Sequence, residues 1–211
     1  MFPERLTNGY RAFKAGRFAS ERARYQELAG LGQRPSIMVV GCVDSRVSPE
    51  AIFDAAPGEI LVARNVANLV PRCEPAGETQ HGASAALEFA VRALKVRHIV
   101  VLGHAFCGGI KAFLSEDAPL SSSDFIGKWM SQIAPAAAAI GPKGEAGEEE
   151  YLRKLEFASV ELSLKNLMTF GFVRSAVEKG ELSLHGAYFG VASGRLLIRN
   201  EQTGAFEPVG D

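Results

Sequence analysis

The sequence predicts an α/β fold: a mostly parallel central sheet of about four strands with an antiparallel edge strand, helices on both faces, and an extended N-terminal helical arm. Three observations carry this reading. Apolar runs at Ile37 to Val40, Ile60 to Ala63 and Ile99 to Leu102 lack polar alternation, as strands covered on both faces of a parallel sheet do. Between the second and third runs, Ala83, Ala86, Leu87, Ala90, Val91 and Leu94 recur at helical spacing, giving the crossover that a parallel pair needs. Later, Leu182 to Val191 and Leu196 to Arg199 flank Ala192-Ser193-Gly194-Arg195, a strand pair turning at Ser-Gly.

Taken in order, residues 1–32 form the arm. Glu4 to Leu28 is helix-prone but has a broken apolar stripe, so it is expected to pack on a partner subunit instead of its own core. The first strand runs into Gly41-Cys42-Val43-Asp44-Ser45-Arg46, the second into Arg64-Asn65, and the third into Gly103-His104-Ala105-Phe106-Cys107-Gly108-Gly109. Ligands of open α/β sheets bind at the carboxyl ends of the strands, so all three runs deliver polar chemistry to one edge. The Ile140 to Gly147 segment is a Gly/Pro break between two helices and reads as a surface loop. The helix after it carries Leu152, Leu155, Ala158 and Leu162, with Glu148, Glu149 and Glu150 near the positive end of its dipole.

The 211 residues suit a single domain, 1–211, large enough to bury a core without disulfides or a structural metal. With 23 Lys+Arg against 24 Asp+Glu the formal net charge is -1, which argues against nucleic acid or an anionic membrane surface as partner. No apolar stretch approaches the ~20 residues needed to span a bilayer, and the charged N-terminus does not read as a signal peptide, so a cytoplasmic protein is expected. Three cysteines in a reducing compartment are ligands, nucleophiles or core residues before they are disulfide partners.

Cys42, Asp44 and Arg46 fall within five residues on one strand-end loop, and His104 and Cys107 lie three apart on another. Two thiolates and an imidazole suit zinc, and three protein ligands leave a fourth position open, as catalytic sites do. Each half alone is weak, since His-x-x-Cys arises readily by chance and a free Cys is usually a small core residue. Together they gain weight because both follow apolar strands ending on one edge. Asp44 and Arg46 can form a bidentate pair that keeps the carboxylate ionised. Asp44 can then orient a nucleophile, move onto the metal as a fourth ligand, or simply brace the loop. His81, His98 and His185 read as satisfied histidines, with His98 capping a strand or facing solvent, and Cys73 as incidental.

Cys42-x-Asp44-Ser45-Arg46, Arg64-Asn65-Val66-Ala67-Asn68 and Gly103-His104-x-x-Cys107-Gly108-Gly109 together resemble the β-class carbonic anhydrases. The resemblance is strongest from Gln33 to Leu114 and continues through Ser159-Val160, Asn166-Leu167 and Leu182 to Gly186. It implies a zinc lyase interconverting CO2 and bicarbonate, with one Zn2+ per subunit, working as a homodimer or a tetramer of dimers. Carried over by position, Cys42, His104 and Cys107 bind zinc, with Asp44 as the alternative fourth ligand, and Asp44 and Arg46 form the catalytic dyad. Gln33 would bind bicarbonate from a neighbouring subunit, and a zinc hydroxide would attack CO2 while the Gly108 and Gly109 N–H groups receive the developing oxygen. The aromatic pair beside the substrate appears as Leu61 and Phe89, without a phenolic hydroxyl. Where one subclass keeps a second bicarbonate pocket of Trp, Arg and Tyr, this chain has Val39, Arg64 and Phe189.

Two other readings stay open on the residues: the same site acting on carbonyl sulfide or carbon disulfide, and a scaffold zinc permanently closed by four ligands. A nucleotide-binding domain is disfavoured, because neither G-x-G-x-x-G nor G-x-x-x-x-G-K-[ST] occurs.

Overall fold

The computed structural model describes residues 1–75, 81–115, 117–119, 121–145 and 147–210. Strands β1 (Ile37–Cys42), β2 (Ile60–Asn65), β3 (His98–His104) and β4 (Ser183–Phe189) run parallel, and β5 (Leu196–Arg199) and β6 (Phe206–Pro208) continue the sheet antiparallel, in the order β2-β1-β3-β4-β5-β6. The four parallel strands and the antiparallel turn at Ser-Gly match the sequence expectation. The sixth strand was not anticipated, because three residues ending in proline carry no periodicity.

The chain leaves β1 toward β2 on one side, whereas β3 lies on the other. This makes the β1–β3 crevice a topological switch point, where the connections diverge and open a cleft beyond the strand ends. Cys42 ends β1, opposite Asn65 of β2, and His104 ends β3, opposite Phe189 of β4.

Side chains alternate across the sheet with period two. Met38, Val40, Ile99 and Val101 face one side, packed under Leu87 and Ala90 of the crossover and under helices α8 (Glu148–Leu167) and α9 (Gly171–Glu178). The crossover begins as α4 (Gly82–Glu88) and widens into a π-helical turn, Phe89–Leu94, closed by Lys95 at φ 55°. Val39, Leu102 and Ala187 face the other side, where the short helix α3 (Pro49–Ile52) supplies Ile52 and where Ile37, Ile60, Val62 and Val100 stay half-buried.

A third cluster caps the carboxyl edge. It is built from Cys42, Val47, Ala67, Leu69 and Cys107 together with helices α5 (Gly108–Leu114), α6 (Phe125–Met130) and α7 (Ala134–Ile140), and with Leu152 and Leu155 of α8. The break between α7 and α8 lies where the Gly/Pro run placed it, with Ala146 outside the described residues. The N-terminal arm is two helices, α1 (Glu4–Ala15) and α2 (Arg17–Leu31), split at Gly16, and neither has a buried residue. Arg17 and Arg24 reach the Ala55 and Pro57 carbonyls, and Leu28 covers Gly58, where a Cβ would meet it at 2.7 Å.

Candidate metal centre

Both loops predicted to carry the chemistry meet at the switch point. Cys42, His104 and Cys107 are buried, and their ligand atoms lie within 4.8 Å of one another. Zn–S bonds of about 2.3 Å and Zn–N bonds of about 2.0 Å give tetrahedral edges of roughly 3.5–3.8 Å, so little closure is required.

The donor chemistry fits a metal. His104 Nδ1 faces the Ala105 carbonyl at 3.0 Å, which places the ring proton on Nδ1 and leaves the Nε2 lone pair free. That Nε2 is buried with no hydrogen-bond partner, an arrangement that burial penalises unless something binds there. Backbone N–H groups are also aimed at each sulfur. The Ala67 N–H donates to Cys42 Sγ at 3.3 Å, and the Asp44 N–H also lowers this thiol's pKa. The Gly109 and Ile110 N–H groups favour the thiolate of Cys107 in the same way.

The neighbouring Cys107 pulls the Cys42 pKa down against burial, while the adjacent Cys42 and burial push that of Cys107 up. For His104, burial acts downward, but the adjoining Cys42 sulfur and its charge outweigh it, so the imidazole pKa is raised. Binding a divalent cation would therefore displace a proton.

Asp44 and Arg46 pair as their spacing predicts. Arg46 Nε donates to Oδ1 at 2.9 Å, Nη2 to Oδ2 at 2.6 Å, and the Arg46 backbone N–H to Oδ1 at 3.0 Å. These bonds hold the Asp44 carboxyl well below the usual carboxylate range, although burial opposes them. Asp44 Oδ2 lies 4.0 Å from His104 Nε2, so the carboxylate stands at the edge of the cluster. Arg46 Nη2 also donates to the Phe106 carbonyl at 3.1 Å, tying the two loops together.

Other expected site residues lie elsewhere in the chain. Gln33 is exposed before β1, at the opposite end of a six-residue strand from Cys42, or about 20 Å away at 3.3 Å per residue. Leu61 pairs with Met38 in the register and packs into the core, and Phe89 is 48% exposed on the crossover, so within one chain neither lines the cluster. The Gly109 N–H serves Cys107, leaving Gly108 as the glycine donor not committed to a sulfur. Gly109 is needed for close approach, since a Cβ there would sit 2.6 Å from Val66 Cγ1. Val39 is core, and Arg64 spends its guanidinium on the carbonyls of Cys42, Asp44 and Val47.

Several partners were not read from sequence. The expectation that His98 caps a strand or faces solvent is corrected: its Nδ1 meets His185 Nε2 at 3.1 Å, because parallel pairing of β3 and β4 brings the rings together. Glu156, only 2% exposed, accepts the Cys107 N–H at 2.9 Å and the Tyr188 hydroxyl at 2.6 Å. Burial raises its pKa against those two bonds, and burial together with the bond to Glu156 raises that of Tyr188. The available signal was a carboxylate four residues after Leu152 and four before Val160, on the apolar stripe of a helix.

Comparison with known proteins agrees with this geometry. The family model described as carbonic anhydrase matches residues 37–196. Beta carbonic anhydrase 3 of Arabidopsis thaliana is 35% identical over 195 residues, covering 90% of this chain and 74% of that protein. The solved β-carbonic anhydrase CcaA superposes with a TM-score of 0.90 at 28% identity, over 99% of this chain and 92% of that one. A structure from a study of two tetrameric β-carbonic anhydrases of Sordaria macrospora gives 0.80 at 29% identity, over 95% and 96%. A Coccomyxa β-carbonic anhydrase in complex with acetazolamide gives 0.79 at 28%, over 98% and 87%.

Proposed function

The chain belongs to the β-carbonic anhydrases, and from that premise we propose that it interconverts CO2 and bicarbonate at the Cys42, His104 and Cys107 cluster, with one Zn2+ per subunit. The observation that carries this reading is the buried, unpartnered His104 Nε2 beside two thiols, with an ionised Asp44 4.0 Å away. Two thiolates and a neutral imidazole would hold the ion and leave one position open, where zinc supplies Lewis acidity and acidifies a water toward neutral pH.

The protein's own groups do the rest. Asp44 accepts an O–H of the nucleophile and aims its lone pair at the carbon of CO2. Arg46, through two parallel N–H bonds, fixes the direction of that carboxylate. Asp44 stands paired with Arg46 through three N–H bonds, which supports the reading in which the aspartate stays off the metal. The Gly108 N–H is the remaining glycine donor for the developing oxygen. Gln33 and Phe89 would reach substrate only from a neighbouring subunit, which fits a homodimer or a tetramer of dimers. No helix among the described residues is long and apolar enough to cross a membrane, and a cytoplasmic location is part of this reading.

Stopped-flow CO2 hydration and metal analysis on one sample test the reading. We expect about one zinc per chain and hydration that rises through an apparent pKa above the ~7 of a three-histidine site, because two thiolates cancel the ion's charge. Zinc-loaded protein without hydration, or with sulfide release from carbonyl sulfide as its main turnover, would overturn it.

A further inference from the structure

We infer that Glu156, braced by Tyr188, is a positioning residue that presets the metal-binding loop after β3. A carboxylate buried this completely has lost its hydration and must recover it from specific donors. Among the described residues its side-chain hydrogen bonds go to no lysine or arginine. One oxygen takes the backbone N–H of Cys107, and the other takes the Tyr188 hydroxyl. Well-packed apolar side chains often stabilise such positions equally well, so the polar network is better accounted for by what it holds. What it holds is the peptide joining Phe106 to a metal ligand.

That peptide needs holding. Phe106 sits at φ 58°, a left-handed conformation uncommon for a bulky residue, immediately before Cys107 caps α5. The Phe106 carbonyl accepts Arg46 Nη2, so its position also sets the guanidinium that aims Asp44. Tyr188 stands opposite Gly103 in the β3–β4 register, one residue before His104, with Phe157 of α8 packed edge-on at 4.6 Å. Gly103 lets α8 come close, since a Cβ there would lie 2.7 Å from Val160 Cγ2. Glu156 therefore links α8 and β4 to the ligand Cys107 and, through Phe106, to the dyad. It touches the backbone of a ligand and acts through it.

This inference rests on the zinc reading of the cluster, and its test separates the two. Zinc affinity is measured by chelator competition for the wild type, Glu156→Ala, Glu156→Gln and Tyr188→Phe. Circular dichroism confirms that each metal-free protein is folded, and the absorption spectrum of the Co2+-loaded forms reports ligand geometry. Glu156→Ala is expected to weaken zinc binding about 10- to 100-fold, the range for removing an outer-shell partner, and to shift the cobalt bands. Glu156→Gln keeps an acceptor for the Cys107 N–H and should stay within about threefold of wild type, with Tyr188→Phe between them. A folded Glu156→Ala that binds zinc like wild type with an unchanged cobalt spectrum overturns the inference and leaves the functional reading standing. If that variant does not fold, Tyr188→Phe with wild-type affinity and spectrum overturns it equally. Wild-type protein that binds no zinc removes both.

Discussion

Asp44 shows how much one side chain's surroundings decide. Its carboxylate is ionised because Arg46 reaches it through a planar fork that lysine could not reproduce. A carboxyl held below its unfolded pKa adds stability above about pH 4, and that stability is lost as pH falls through the folded value. The dyad therefore does not titrate near neutrality, and an alkaline step in the activity profile belongs to another group. Asp44→Asn should keep zinc, because Cys42, His104 and Cys107 remain, yet lose hydration by about 100-fold or more, the scale of a positioned proton acceptor. Cys107→Ser should instead lose the metal. Metal analysis beside stopped-flow rates checks both, and near-normal turnover in zinc-loaded Asp44→Asn would take Asp44 out of the mechanism.

At the scale of elements, β3 and β4 carry a second polar cluster away from the metal. The His98 and His185 rings meet on one sheet face, and His185 Nδ1 lies 3.6 Å from Glu201. Burial lowers the His185 pKa, the charge of His98 lowers it further, and Glu201 opposes both. A histidine whose folded pKa is depressed adds stability above about pH 6.5, and loses it as acid drives protons onto the unfolded chain. The thermal midpoint should fall between pH 7 and pH 5, and His185→Gln should flatten that fall. An unchanged slope in calorimetry would assign the acid sensitivity to other groups.

The whole molecule leaves apolar surface uncovered. Phe2, Leu6, Tyr10 and Leu31 of the arm are all more than half exposed, and Ile37, Ile60, Val62 and Val100 of one sheet face stay half-buried. Isolated apolar residues on a surface are ordinary, but two helices with no buried side chain gain little stability from their own chain. The proposed homo-oligomer would cover both surfaces and bring Gln33 to a neighbour's site. Removing residues 1–31 should shift the sedimenting species to lower mass and reduce hydration while leaving the metal cluster intact. A truncated protein of unchanged mass and rate would show that the arm does neither.

The sequence by itself determined the parallel strands, the edge to which they deliver Cys42, Asp44, Arg46, His104 and Cys107, and the pairing of Asp44 with Arg46. Those follow from short-range patterns: runs without polar alternation, and side chains two or three residues apart on one loop. Only the tertiary structure decided that Glu156 would hold Cys107, that His98 would meet His185, and that Leu61 would face the core. Such contacts join positions tens of residues apart, and their geometry is set by which helix packs on which strand and in what register, information that no local spacing contains.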